Sequence, residues 1–328
     1  MKYILAIILT LPLLLFSQTK YKNIFTNPNP PVLENNITSI ATDNNGLSWI
    51  GTLEGLICYD GQKWTTFNSK NSKLPSDKVL CIETVNNIKY IGTTKGLLII
   101  KKDNWEVYTK NNSGLPSNKI RKIKFKKNII WIATSAGLVS YKNTFKVMLS
   151  KKRNSIYDDD FIALSVDNNE KVWVGTNSGL YSYKENIWRL FTTQNSELPN
   201  NHVWNIVVDN QDKKWIGTKK GVATITKEGW LLFDKKNTPL KSNLIKSIAC
   251  DDYDRVWVST EGEIIFYDGG GWIKEKTKIC KKEAITSFFI DSFDNKWICT
   301  SRNVIIYNSE GVEFKNKSTN ENNVVVSK

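Results

Sequence analysis

His202 is the only histidine among 328 residues and stands in the loop Asn200-Asn201-His202. A single imidazole excludes metal sites built on paired histidines, and it leaves any nucleophile–histidine–acid relay dependent on this one residue. No catalytic motif accompanies it, so His202 reads as a solvated loop histidine, the chain as a non-enzyme, and no residue as catalytic. Asp251-Asp252-Tyr253-Asp254 and Asp291-Ser292-Phe293-Asp294-Asn295 have acid spacing close to that of a calcium loop. They lack the glycine and the distal bidentate glutamate such loops need, and turn chemistry accounts for them better. Five cysteines, Cys58, Cys81, Cys250, Cys280 and Cys299, are odd in number and show no framework spacing. Four fall in strand-like runs where other repeats carry Ile, Ala, Gly or Val, and they read mostly as small core residues. Neither a metal site nor a cofactor is expected.

Lys and Arg number 46 against 32 Asp and Glu, a formal charge of +14. Such a surface suits acidic glycans, a membrane face or extracellular nucleic acid. The lysines are scattered through the whole chain, however, and nucleic acid is not an expected partner. Met1-Lys2 precedes an apolar run from Tyr3 to Phe16 and then Ser17-Gln18. That is the pattern of a secretory signal peptide over residues 1–17, too short for the ~20 residues of a membrane span. The expectation is an exported protein, periplasmic or secreted, with no membrane span.

The elements that must position any site come from a repeat. Trp49-Ile50-Gly51-Thr52 recurs as Tyr90-Ile91-Gly92-Thr93, Trp131-Ile132-Ala133-Thr134, Trp173-Val174-Gly175-Thr176, Trp215-Ile216-Gly217-Thr218, Trp257-Val258-Ser259-Thr260 and Trp297-Ile298-Cys299-Thr300. The aromatics lie 41, 41, 42, 42, 42 and 40 residues apart, a period that signals stacked supersecondary units. Within the first repeat, β-rich runs at residues 37–42, 47–52, 56–59 and 63–67 are separated by Asp43-Asn44-Asn45-Gly46, Leu53-Glu54-Gly55 and Asp60-Gly61. Four short antiparallel strands repeated about an axis give a β-propeller, and helical periodicity is absent. The fold class is therefore all-β, a single seven-bladed propeller over residues 18–328. Its repeats lie near 36–78, 79–119, 120–160, 161–202, 203–244, 245–284 and 285–323.

In this reading the aromatic fills the wedge between blades, and the small residue lets the next backbone approach. Gly55, Gly96, Gly137, Gly179 and Gly221 follow three residues after the Thr, whereas Glu263 and Asn303 predict a different turn in blades six and seven. Acids or amides at Asn35, Asp77, Asn118, Asp159, Asn201, Asn243 and Glu283 precede each first strand and read as loop caps rather than a catalytic ring. The link from Lys151 to Asp160 departs most from the repeat. Residues 21–25 resemble an orphan fourth strand that closes the ring on blade seven, with Val312-Glu313-Phe314 competing for the same edge.

The segment Asp43 to Tyr59-Asp60, read as Asp-x-x-Gly-x-x-Trp-Ile-Gly-Thr-x-x-Gly-Leu-x-x-Tyr-Asp, resembles the two-component regulator propeller repeat. The resemblance extends over essentially all the mature chain. It implies an exported sensor-type propeller with a binding role, of a kind that often responds to glycans, and carries over no catalytic residue. The kinase and transmembrane parts of that family have no counterpart here, which puts direct kinase signalling in question.

Trp204 marks the candidate site. Eleven of the twelve tryptophans fill two packing columns, and Trp204 belongs to neither. It sits second in the first strand of repeat five, where other repeats carry Thr38, Leu80, Arg121, Ile162, Lys246 and Thr286. A Trp at the channel mouth can stack on a sugar, with His202, Arg121 and Lys246 as nearby donors and Lys95, Lys219, Lys220 and Arg302 further out. Packing between blades four and five is the competing account. Two functions follow: a binding or sensing module for a glycan or glycan-like ligand, or a cell-surface scaffold for a protein partner. A propeller lyase or hydrolase is a third.

Overall fold

The structure, a computed structural model, describes residues 22–26, 37–154, 156–275, 284–300, 303–308, 312–314 and 324–325. The signal-peptide reading, Cys280, Arg302, Asn35 and Glu283 lie outside these residues. Among the described residues no helix is long and apolar enough to cross a membrane.

Seven four-stranded antiparallel sheets form seven blades. Blade one shows the plan: Ser39–Thr42, Ser48–Gly51, Leu56–Tyr59 and Trp64–Phe67 pair in sequence order. Blade seven draws its outer strand from the other end of the chain. Lys22–Thr26 pairs antiparallel with Asn303–Tyr307, with Ile24 opposite Ile305. Glu313–Phe314 pairs instead with Val324–Val325 in a separate ribbon, so it does not take that edge. One feature departs from the all-strand expectation, a single helical turn at Lys151–Asn154 in the atypical link.

The hydrophobic core of the described residues is seven clusters, each shared by two successive blades. Trp173 of blade four packs with Val203, Ile206 and Ile216 of blade five, and Trp297 of blade seven packs with Ile37, Ile50 and Ile57 of blade one. The aromatics of the fourth strands close these wedges from outside, as Trp230 does against Phe191 at 5.8 Å. Small residues in the phrase are required by the same approach. A Cβ on Gly92 would lie 2.6 Å from Ile120 Cγ2 of the next blade.

The acids suspected of cation binding are committed to the fold. Asp43 Oδ1 accepts the N–H groups of Asn45 and Leu47, which builds the first turn, and its Oδ2 accepts the Trp49 indole N–H at 3.2 Å. Asp167, Asp209, Asp251 and Asp291 hold Trp173, Trp215, Trp257 and Trp297 in the same way, at 3.0, 2.8, 2.7 and 2.8 Å. In three junctions a lysine from the next blade offsets the charge. Lys89 lies 2.8 Å from Asp43, Lys214 3.2 Å from Asp167 and Lys296 3.9 Å from Asp251. Such pairing is what permits a carboxylate to stay charged inside a protein.

The cap column also behaves structurally. Asp77, Asn118, Asp159, Asn201 and Asn243 each accept a backbone N–H from eight residues earlier, at 2.6 to 2.9 Å, and so cinch the loop between blades. The turn in blade six differs less than the sequence suggests. Thr260 N–H donates to Glu263 O at 3.0 Å, as Thr52 does to Gly55 at 2.9 Å. Glu263 nevertheless lacks the positive φ of its glycine counterparts, and its buried carboxylate meets Lys274 at 2.9 Å.

Candidate ligand-binding site

Each first strand enters its blade through an irregularity, and this places the variable column. In blade five Val203 pairs with Thr218 and Asn205 with Gly217, leaving Trp204 as the extra residue. Leu80, Arg121 and Thr286 are skipped likewise. Thr38, Ile162 and Lys246 instead donate their N–H to Gly51, Gly175 and Ser259, residues already opposite Ser39, Ala163 and Ser247. A β-bulge re-aims one side chain, and here it frees one position per blade from the packing that fixes its neighbours.

The candidate residues divide between two cavities. Trp204 and Lys246 line the axial channel, a cavity of about 490 Å³ walled by first strands of all seven blades. Trp204 is half-buried, with Lys219 Nζ 5.7 Å from its ring centroid, a cation–π distance. Its indole N–H is buried and meets no acceptor among the described residues. Lys246 is exposed and makes no ion pair with a described residue.

His202 and Lys220 line a different cavity, an open cleft of about 810 Å³ between the loops of blades four and five. The cleft takes Asn177 from the inner turn of blade four, Gln194 from its exit loop and Asn200 from the approach to blade five. His202 Nδ1 lies 3.2 Å from Asn177 Oδ1, and the His202 N–H donates to Asn200 Oδ1 at 3.0 Å. Tyr157 forms part of the wall and is 78% exposed. It comes from the link containing the helical turn, which Asn154 Oδ1 caps by accepting the Ser150 N–H at 3.2 Å. The departure of that link from the repeat was visible in the sequence. Its product, a tyrosine at a cleft, was not.

The remaining candidates stand elsewhere. Arg121 is committed to Asp160 through two bonds, Nε to Oδ1 at 2.9 Å and Nη2 to Oδ2 at 2.5 Å. Lys95 is exposed on the inner turn of blade two, and Arg302 is outside the described residues. Among the described residues Cys81, Cys250 and Cys299 are free thiols. Burial pushes Cys81, Cys250 and Cys299 up to about 12, which leaves them unreactive as thiolates. Among the described residues no group of three His, Cys, Asp or Glu could hold a metal ion.

Comparison with known proteins defines the class. Residues 239–262 match the family described as two component regulator propeller. The extracellular domain assigned to a hybrid two component system of B. thetaiotaomicron has the same fold, with TM-score 0.71 and 21% identity. The match covers 88% of this chain and 42% of that one, so this chain spans less than half of that structure. A catalytically inactive virginiamycin B lyase from Staphylococcus aureus, solved with quinupristin, aligns with TM-score 0.68 and 13% identity over 87% of this chain and 98% of the lyase. YCF48 from Cyanidioschyzon merolae aligns with TM-score 0.65 and 12% identity over 89% and 100% of the two chains. No curated protein matches the sequence. The chain is thus a seven-bladed β-propeller. It carries a repeat of the two component regulator propeller type.

Proposed function

We propose that this propeller is an exported, non-catalytic binding or sensing protein that takes a glycan or glycan-like solute in the cleft between blades four and five. One observation carries the reading: an open cleft of about 810 Å³ brings exposed Tyr157 together with Asn177, Gln194, Asn200 and His202. A pyranose presents a C–H face that an aromatic ring covers and hydroxyls that amides both donate to and accept from. The volume suits a ligand of one to a few sugar rings. The same architecture serves outside the cell in the B. thetaiotaomicron domain, and the signal-peptide-like sequence of residues 1–17 supports export. A binding role is favoured over hydrolysis or elimination because His202 faces an amide oxygen rather than a carboxylate.

The test is a thermal-shift screen of the mature protein against neutral and acidic oligosaccharides, repeated on Tyr157→Ala. A ligand that binds only the folded state raises its stability. Saturable stabilisation by one glycan class, lost in Tyr157→Ala, is the expected result. A panel that shifts nothing, or shifts both proteins equally, overturns the reading. A protein scaffold is the second reading, favoured by Ile187, Leu231, Leu232 and Ile273, which are 62, 51, 41 and 41% exposed on the outer strands of blades four to six.

A further inference from the structure

The axial channel has its own chemistry. Its wall is mostly aliphatic, hydroxyl or amide, with three lysines, Lys122, Lys124 and Lys246, and a single carboxylate, Glu83. Glu83 is already engaged, one oxygen 3.6 Å from Lys124 Nζ and the other accepting the Phe125 N–H at 2.9 Å.

Lys122 occupies a column that elsewhere ties blades together. Asn205 Nδ2 donates to Lys246 O at 3.1 Å and Ser287 Oγ to Ile37 O at 3.2 Å, each on the following blade. At the blade three to four junction the same position holds a lysine, opposite Ala133 in register, and no carboxylate stands within ion-pair distance of it among the described residues. Burial, the largest influence, pushes the Lys122 ammonium below its usual pKa; Cys81 pushes it up and Lys124 down again. Lys122 and Lys124 lie two residues apart on one strand and therefore point to the same side. Lys124 of blade three and Cys250 of blade six line the same channel.

Three ammonium groups against one carboxylate leave a local excess of two positive charges in a confined, partly desolvated space. Lys122 is the half-buried one without a counterion, a costly state for a charge, and Thr38, Ser39, Asn205, Ser247, Thr286 and Ser287 add hydroxyl and amide groups to the same wall. We propose that the axial channel is a binding site for a small dianionic oxyanion, held by Lys122, Lys124 and Lys246. Phosphate, sulfate and a short dicarboxylate share the required chemistry: two negative charges and several acceptor oxygens. The site is separate from the Tyr157 cleft and does not depend on a glycan binding there. A dianion in it would join blades three and six across the ring.

The experiment is calorimetric titration of the mature protein with sulfate, phosphate and succinate in chloride buffer at constant ionic strength. Wild type, Lys122→Met, Lys246→Met and Tyr157→Ala are compared. Saturable binding of at least one dianion is expected, weakened about tenfold or more in either lysine variant, as befits loss of a charge-assisted bond, and unchanged in Tyr157→Ala. The sulfate and phosphate arms against the succinate arm distinguish an inorganic ligand from a carboxylate. Lys122→Met removes an unpaired charge and keeps the volume, so it should melt no lower than wild type in chloride; should it fail to fold, the exposed Lys246→Met carries the test. Binding of no dianion, or equal binding by wild type and the lysine variants, overturns the proposal.

Discussion

A carboxylate that holds an indole N–H in each of five blades sets two residue-scale expectations. Trp173 is 4% exposed, held by Asp167 and packed on blade five. Trp173→Ala should therefore lower stability by the ~3–5 kcal/mol typical of an emptied aromatic site, read as a drop in denaturant midpoint. The second expectation concerns Asp291. It has the same turn and tryptophan contacts as Asp43 but no lysine in ion-pair contact among the described residues. Burial raises its pKa above the usual 3.8, while bonds from Trp297 and Asn295 oppose the shift. A carboxyl raised in the folded state binds its proton more tightly there than in the unfolded chain. Its contribution is complete below the unfolded pKa and declines as pH rises through the folded one. Stability measured upward from about pH 4 should fall more steeply in wild type than in Asp291→Asn. Parallel profiles would show that Asp291 titrates normally. The turn acids were legible from Asp-x-x-Gly. Their lysine partners were not, because Lys89 and Lys296 sit one blade further on with no local signature linking them.

At the scale of elements, the inner turns follow their glycines. Gly137 has φ +138, and a Cβ there would lie 2.5 Å from Leu149 O. Gly137→Ala is expected to lose more than ~1 kcal/mol, since the backbone conformation and the carbonyl both oppose it. A thermal melt checks this, with Gly262→Ala as control, where an added Cβ meets nothing within 4 Å. Blades two and three show a variation the repeat phrase does not announce. Their first hairpins run longer, Val79–Val85 with Ile88–Thr93 and Ile120–Lys126 with Ile129–Thr134. Asn86-Asn87 and Lys127-Asn128 turn them through positive φ, the two-residue geometry that matches strand twist. Strand number and order were readable because each wedge constrains its own residues. The cleft was only half readable, since loops answer to a ligand rather than to packing: the atypical link stood out, whereas the meeting of Tyr157 with Asn177 and Gln194 depends on how blades four and five sit together.

For the molecule as a whole, stability rests on a closed ring of seven wedges, and the closure is the pairing of Lys22–Thr26 with Asn303–Tyr307. A protein beginning after residue 27 should melt lower, by at least about 5 °C, given the ~2–4 °C per kcal/mol expected for chains of this order. The loss should be graded in space. Amides of Asn303–Tyr307 should exchange first while blade three, far from the seam, keeps its protection. Equal melting and equal exchange would show that the seam adds little. The same seam governs how the protein can be made. The strand Lys22–Thr26 waits for a partner about 280 residues further along the chain, the kind of long-range contact that slows folding, so a nascent chain can stack blades one to six yet cannot complete its circle. Until that pairing forms, the edge at Asn303–Tyr307 is open to strands of other molecules, the hazard carried by every unpaired edge. A chaperone that retains only the leading strand would hold the whole protein short of its native state.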